Sequence, residues 1–365
     1  METIIYKISD DKSENDRILT HAADVIKSGG LVAFPTETVY GLGANAYDAS
    51  AAVRIFEAKG RPGDNPLIVH ILNPEDAEKI AYVPQIYYDI AANFMPGPLT
   101  VILKKRETVP DEVTAGLDSV AVRVPAHVTA RRLIEFAGVP IAAPSANRSG
   151  KPSPTCAMHV IDDMDGRIDI ILSGGDCDLG LESTVIKISG DDGVAAAAIL
   201  RPGAVTAEMI RAACGIDVVV EKSVMRELQK DEIPLSPGMK HKHYAPTAPL
   251  TLVDGSNDKV IEYFIQKMKE NESCAVICYE EEADKLRSCA GANKERIVVL
   301  AKRDDIQGQS KRLFSALREA DDIGGEASSE MYAHLPSSGD ISLALYNRMI
   351  RAAAHTIISL ECLNG

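Results

Sequence analysis

The amino-acid sequence predicts an α/β protein of two domains, the first built on a mixed sheet and the second on a parallel one. Three observations carry this. At 365 residues the chain exceeds what one average core organises, so two domains are expected. Up to residue 221, apolar runs of strand length mix with helical-period stretches without strict alternation, which fits an α/β or α+β unit. Beyond residue 250 strand and helix alternate, the pattern of a small three-layer, parallel-sheet unit. Residues 222–249 between them are polar, then rich in Pro, Gly and His, with no clear period, and read as a linker.

Residues 3–8 form a first strand. A helix follows over 17–28, because Ile18, Leu19, Ala22, Val25 and Ile26 recur at helical spacing and Gly29-Gly30 ends it. Residues 31–34 are a buried strand running into Pro35, and 50–59 a helix stopped by Gly60. Strands are expected at 67–71, 99–103, 120–124 and 140–143, with helices at 85–94 and 128–136, the latter closed by Gly138. Further strands fit 169–172, 184–188, 194–200 and 217–220, and Ser189-Gly190-Asp191-Asp192-Gly193 reads as a hairpin turn. In the second unit the order is strand 250–253, helix 259–269, strand 274–279, a helix, strand 296–300, then helices near 310–320 and 341–359. No G-x-G-x-x-G follows its first strand, so the usual dinucleotide fingerprint is missing.

Hydrophobic residues at 45% and charged residues at 25% are ordinary globular values and argue against disorder. Met1-Glu2, with Asp10, Asp11 and Glu14 close behind, offers neither a basic n-region nor an apolar h-region, so no signal peptide is expected. No apolar run approaches the roughly 20 residues of a bilayer span. Seven cysteines, at 156, 177, 214, 274, 278, 289 and 362, include no C-x-x-C pair. That spacing predicts reduced thiols, a soluble cytoplasmic protein and no zinc site.

The formal charge is −14, from 39 Lys and Arg against 53 Asp and Glu, a poor field for sliding along nucleic acid. Its distribution says more. Cations gather in Gly/Pro/Ser-rich segments: Lys59, Arg61, Arg123, Arg148, Lys151 and Arg201, with Lys240 and Lys242 further on. An acidic protein that keeps positive charge on rigid loops is suited to a small anion.

Four segments have compositions that core packing does not explain. PTETVYGLGANA, residues 35–46, follows a strand; its glycines, proline and threonine hydroxyls suit a close backbone approach to a ligand, although a turn into the next helix would use them too. In KGRPGDNPLIVH, Lys59 and Arg61 stand two residues apart at a helix end, where they repel unless an anion or solvent lies between them. Arg grips phosphate oxygens bidentately and Lys adds a point charge; the plainer role is a basic helix cap. His70 ends the next strand, where a satisfied core histidine is the commoner case. APSANRSGKPSPT, residues 143–155, is a loop rich in donors that can wrap phosphates, without Walker A spacing. SPGMKHKHYAP, residues 236–246, puts two lysines, two histidines and a tyrosine in the linker, able to close over a nucleotide by stacking and charge. No G-x-S-x-G, no H-E-x-x-H and no cysteine nucleophile context appears, so charge neutralisation and positioning have to suffice.

Together these segments resemble the YrdC-like family of threonylcarbamoyl-AMP synthases in its longer, two-domain form. The family's K-x-R and S-x-N motifs stand here as Lys59-Gly60-Arg61 and Ser145-Ala146-Asn147; PTETVYGLG, DNPLIVH, LESTV and RPG follow in family order. The match covers residues 35–246, while the last 120 or so match mainly by length and α/β pattern, and Arg148 stands where many members have an apolar residue. The resemblance implies a YrdC-like catalytic domain at 1–221 with a mixed twisted sheet and flanking helices. It further implies an interdomain linker at 222–249 contacting the active site and a smaller Rossmann-like domain at 250–365.

The implied reaction takes L-threonine, bicarbonate or CO2, and ATP to L-threonylcarbamoyladenylate and pyrophosphate, a nucleotidyl transfer. A tRNA threonylcarbamoyl transferase machinery downstream then modifies an adenosine of certain tRNAs. Carried over position by position, Thr38, His70, Arg123, the backbone near Ala143 and Ser183 hold threonine, with Arg123 on its carboxylate. Arg61, Asn65, Ser119, Ser145, Ser153, Arg201 and Tyr244 hold ATP. Lys59, Arg61, Ser145 and Asn147 form the catalytic cluster, and Mg2+ is bound largely by ATP and water rather than by protein ligands. Two other readings are an RNA-binding module, opposed by the net charge, and carbamoyl adenylation in hydrogenase maturation, opposed by the absence of zinc-type cysteine pairs.

Overall fold

The computed structural model describes residues 2–189, 196–221, 224, 244–289, 291–324, 330–336, 339 and 342–361. The chain divides into two units: Met1–Ser149 with Ser153–Lys240, and Gly150–Pro152 with His241–Gly365. Most of the 222–249 linker, including SPGMKHKH, lies outside the described residues, as do residues 190–195 of the expected hairpin.

The first unit opens with β1 (Ile4–Lys7), α1 (Lys12–Lys27), β2 (Val32–Phe34), β3 (Gly41–Asn45), α2 (Ala49–Lys59) and β4 (Ile68–His70). Next come β5 (Ala81–Tyr82), α3 (Gln85–Phe94), β6 (Leu99–Lys105), α4 (Asp111–Thr114), β7 (Ser119–Arg123), α5 (Val128–Ala137) and β8 (Ile141–Ala143). The unit closes with α6 (Ala157–Met164), β9 (Ile170–Ser173), β10 (Thr184–Ser189), β11 (Ala196–Arg201), α7 (Ala207–Cys214) and β12 (Asp217–Val220). The strands make one mixed sheet in the order β1-β9-β2-β3-β8-β4-β7-β6-β10-β11-β12, with β5 added beside β6.

Side chains alternate across this sheet, and the alternation builds two layers. Val32 and Phe34, Ile141 and Ala143, Ile170 and Leu172 face α1 and α5 in one cluster, with Ile18, Leu19, Ile26, Leu133 and Ile134. Ala33, Ala142 and Ile171 point the other way, into a larger cluster with Ile55 of α2, Ile90 of α3 and Val160 of α6. Each fully buried Leu or Ile contributes about 1.5–3 kcal/mol. On the α1/α5 face, the next strands along present Ile68, Ile102, Ala121, Val185 and Leu200, a cluster contributed by strands alone. Among the described residues no helix side chain joins this cluster, and the candidate site lies on the same strands.

Caps set the helix ends. Asp11 accepts from the backbone N–H groups of Ser13 and Glu14, which starts α1 at Lys12, five residues before the expected start at 17. Asp48 does the same for α2 from Ser50 and Ala51, and Gly60, at φ 62°, ends it. Strand β3 escapes the sequence pattern because GLGAN has no apolar run. Its glycine is needed: a Cβ on Gly43 would lie 2.7 Å from both Ile141 Cγ2 and Phe34 Cε1. Gly43→Ala is accordingly expected to cost about 1–3 kcal/mol through overpacking, read as a lower midpoint in urea unfolding; an unchanged midpoint would show that this contact yields freely.

The second unit contains β13 (Leu250–Asp254), α8 (Asn257–Glu270), β14 (Ala275–Cys278), α9 (Glu280–Cys289), β15 (Ile297–Val299), α10 (Ile306–Gly324), β16 (Met331–His334), α11 (Leu343–Ala352) and β17 (Ile357–Ser359). All its strand pairs are parallel, in the order β15-β14-β16-β13-β17. The sequence reading missed β16 and ran one helix from 341 to 359. That helix stops at Ala352, because Ala354 and His355 both turn to positive φ (46° and 60°); the apolar residues beyond it pair with β13 as a strand. The short helices α6 and α7 were also missed, although Thr206 caps α7 and Gly215 closes it. Among the described residues no helix is long and apolar enough to cross a membrane.

Candidate functional site

Lys59 is the last residue of α2 and lies on the same helix face as Ile55 and Phe56, so its ammonium is carried inward and is 3% exposed. A buried ammonium needs partners. Lys59 Nζ donates to the carbonyl oxygens of Ser145 at 2.5 Å and Asn147 at 2.6 Å, with Asn147 Oδ1 at 3.4 Å. These three oxygens are neutral acceptors. Ser145 Oγ donates to Asn147 Oδ1 at 2.5 Å, and Ser149 N–H donates to Lys59 O at 2.9 Å. The loop is tied on its other flank as well: Leu42 N–H donates to Pro144 O and Ala146 N–H to Tyr40 O, both at 2.8 Å. Two segments 86 residues apart thus meet around one cation.

Arg61 lies just past the helix end, its Nη2 donating to Asn65 O at 3.4 Å. Asn65 is buried, and among the described residues neither Oδ1 nor Nδ2 of its amide has a hydrogen-bond partner. An unmet buried amide costs on the order of 1–3 kcal/mol, which a bound ligand would recover. Ser119 begins β7, and the register Ile68 with Ala121 places it across from the residues just before β4. It therefore sits on the Arg61–Asn65 side of the strands.

A second group forms at the other end of the same strands. His70, Arg123 and Thr100 are register partners across β4, β7 and β6. Arg123 is buried and donates from Nη1 to Thr38 Oγ1 at 2.9 Å, from Nη2 to Glu37 Oε1 at 2.6 Å and from Nε to Gly97 O at 3.3 Å. Glu37 Oε2 accepts Ala126 N–H at 3.1 Å. Burial alone would raise the Glu37 carboxyl, but the charge and hydrogen bond of Arg123 outweigh it and hold the group below its ordinary value. His70 is pushed down to about 3, first by burial and then by the Arg123 cation, so its imidazole is neutral. Its Nδ1 lies 3.2 Å from Ile68 O, and its ring meets Phe34 edge-on at 6.1 Å.

Ser183 closes this group. Its Oγ is 2.8 Å from Thr100 Oγ1 and accepts from Arg201 Nη2 at 3.0 Å. The Arg201 guanidinium also donates to Ser183 O from Nε at 3.1 Å and from Nη2 at 2.9 Å. Ser153 Oγ donates to Glu182 Oε1 at 2.5 Å, and Ala143 pairs with Ile68 across β8 and β4. The turn after Arg201 needs its glycine, since a Cβ on Gly203 would lie 2.4 Å from Thr184 N.

The structure therefore gathers Lys59, Ser145 and Asn147 directly, with Arg61, Asn65 and Ser119 on their side. It gathers Thr38, His70, Arg123 and Ser183 at the other end, with Arg201 and Ser153 attached through Ser183 and Glu182. Tyr244 belongs to the second unit, where its ring stacks on Phe314 at 5.2 Å and lies 5.6 Å from the Arg348 guanidinium. Sequence reasoning missed Glu37, Thr100 and Glu182. A signal for the first existed: an acid between two threonines at the end of a buried strand, and an arginine inside the apolar run AVRVP, each call for a partner. Among the described residues no group of three or more His, Cys, Asp or Glu is placed to hold a metal ion.

Comparison with known proteins finds relatives along nearly the whole chain. The family described as Telomere recombination matches residues 24–203, and the one described as Threonylcarbamoyl-AMP synthase, C-terminal domain matches residues 205–354. A threonylcarbamoyl-AMP synthase of Pyrococcus abyssi is 43% identical over 93% of this chain and 95% of its own length. One from Bacillus subtilis is 41% identical over 96% and 97%. The crystal structure of P. abyssi Sua5 complexed with L-threonine matches with a TM-score of 0.83 and 40% identity, covering 99% of this chain and all of that one.

Proposed function

The chain belongs to the threonylcarbamoyl-AMP synthase family, and from that membership we propose that it joins carboxylated L-threonine to the AMP part of ATP. It is an enzyme of the transferase kind acting in tRNA modification, and the finer class we assign is nucleotidyl transfer. The observation that carries the reading is the meeting of Lys59 with the Ser145–Asn147 loop beside Arg61.

Threonine enters at the carboxyl ends of β4 and β7. Arg123, preset by Glu37, has further N–H donors for its carboxylate; Thr38 and Ser183 supply hydroxyls, and neutral His70 a ring nitrogen. The amine captures CO2 to form a carbamate. A carbamate oxygen then attacks the α-phosphorus of ATP, the new P–O bond forms as the bond to pyrophosphate breaks, and pyrophosphate leaves. No protein nucleophile is required: in-line placement and charge neutralisation do the work. Lys59 and Arg61 lower the energy of the charge that accumulates on the phosphoryl oxygens, while Asn65, Ser119 and the 143–155 loop orient the nucleotide. Mg2+, carried by the triphosphate oxygens and water, would supply further positive charge there. The product passes to a tRNA threonylcarbamoyl transferase machinery, and the site of work we assign is the cytoplasm.

Pyrophosphate release from ATP is expected to require both threonine and bicarbonate. A coupled assay omitting each in turn checks this: release at an equal rate without threonine overturns the substrate assignment.

A further inference from the structure

In the second unit, polar side chains converge at the carboxyl ends of the parallel strands. His334 ends β16, the middle strand of five. It is 3% exposed, and its Nδ1 lies 2.6 Å from Glu282 Oε1. Glu282 Oε2 accepts the Tyr279 N–H at 3.0 Å, so both carboxylate oxygens are engaged. The other imidazole nitrogen, Nε2, faces Arg303 Nη2 at 3.5 Å. The Arg303 guanidinium also lies 5.3 Å from the centre of the Tyr279 ring, itself 5.1 Å from the His334 ring.

The Arg303 backbone is fixed while its side chain is exposed. Glu281 accepts its N–H at 3.1 and 3.2 Å, and Gln309 Nε2 donates to the carbonyls of Lys302 and Arg303 at 2.8 Å. Gln309 is buried, and among the described residues its Oε1 has no hydrogen-bond partner.

Topology makes this position distinctive. The helices leaving β13 and β14, α8 and α9, share one cluster with one face of the sheet. Those leaving β15 and β16, α10 and α11, pack on the strands outside that cluster. The connection from β16 thus leaves on the opposite side from those of its two neighbours, β13 and β14. Such a switch point opens a crevice at the carboxyl end of a parallel sheet, where ligands of open α/β sheets bind.

We propose that the crevice at the end of β16 is a second ligand site, selective for a phosphoryl oxyanion. The donor at this position is the Arg303 fork, which lies beside the His334 ring and over Tyr279. Of the acids nearby, Glu281 accepts the Arg303 N–H and Glu282 the Tyr279 N–H and the His334 ring, while Asp304 and Asp305 follow Arg303 on the exposed chain. Glu282 is engaged by the His334 ring and the Tyr279 N–H, which leaves Arg303 to grip oxygen atoms, the geometry guanidinium is built for. The 3.5 Å approach of Arg303 to His334 is long for a hydrogen bond and easily exchanged for an oxyanion between them.

Equilibrium dialysis of the full chain against radiolabelled inorganic phosphate, pyrophosphate or AMP tests this. Arg61→Ala in the same chain weakens phosphate binding in the first unit, so that the second site is read alone. One saturable equivalent should remain, and the tightest of the three probes names the natural source. Adding Arg303→Ala should weaken it about ten-fold or more, as expected for a lost charge-assisted hydrogen bond. Arg303 is exposed, so the melting temperature should hold, and Arg303→Ala alone should keep pyrophosphate release within about two-fold. A ring-nitrogen NMR signal assigned to His334 with His334→Gln should move during the phosphate titration. Loss of all saturable binding in Arg61→Ala, indifference to Arg303→Ala, or a static His334 signal would each overturn the proposal.

Discussion

Lys59→Ala should lower kcat/KM for pyrophosphate formation by at least about a hundred-fold, equivalent to about 2.7 kcal/mol of transition-state stabilisation. Two losses combine in that figure. The ammonium is the positive charge that α2 delivers to the Ser145–Asn147 loop, and it also ties that loop to the helix end. Threonine affinity should barely change, because Thr38, His70 and Arg123 form a separate group held by Glu37 and the strands. Single-turnover assays with saturating ATP, beside calorimetric titration with threonine, separate these effects. A rate within three-fold of the parent enzyme would remove Lys59 from the site. An equal collapse of threonine binding would mean instead that the two groups are one mechanical unit.

The legibility of the site follows physical lines. Lys59 and Arg61 could be read because two cations on either side of Gly60, at a helix end, call for an anion. The 143–155 loop could be read from its donors, and the strand before it from its apolar run. What could not be read is which pairs close over distance. Nothing local in PTET says that Glu37 reaches Arg123, 86 residues away, because that pairing follows from strand order, and the order β8-β4-β7-β6-β10 leaves no local trace. The same holds for Thr100, which looks like an ordinary strand residue until Ser183 is brought to it by the pairing of β6 with β10. Strands such as β3 and β16 were hidden for different reasons: the first has no apolar run, and the second is a four-residue strand. The helix after β16 was overextended because an apolar pattern does not reveal where a backbone turns to positive φ.

Glu37→Ala should destabilise the enzyme by about 3–5 kcal/mol, since it leaves the buried Arg123 guanidinium without its counter-charge. Glu37→Gln should cost less, because an amide oxygen can still accept from Arg123, yet it should raise the KM for threonine more than it lowers kcat. The reason is positional: Glu37 holds the arginine that we propose takes the carboxylate, and its two oxygens are taken up by Arg123 and the Ala126 N–H. Acid probes the same network from two directions. His70 stays neutral in the folded protein down to about 3 but titrates from an ordinary 6.5 when unfolded. Its stabilising share is therefore complete above about pH 6.5 and is lost as the pH falls toward 3. Glu37, held below its ordinary 4.5, contributes above that value and loses its share as the pH drops through the lower folded one. Stability of the parent enzyme should accordingly fall in acid from about pH 6.5 and more steeply below 4.5, measured by urea unfolding at a series of pH values. In Glu37→Gln the steeper lower limb should flatten while the upper limb persists. An unaltered lower limb in that variant would show that the carboxylate is not the group the fold depends on.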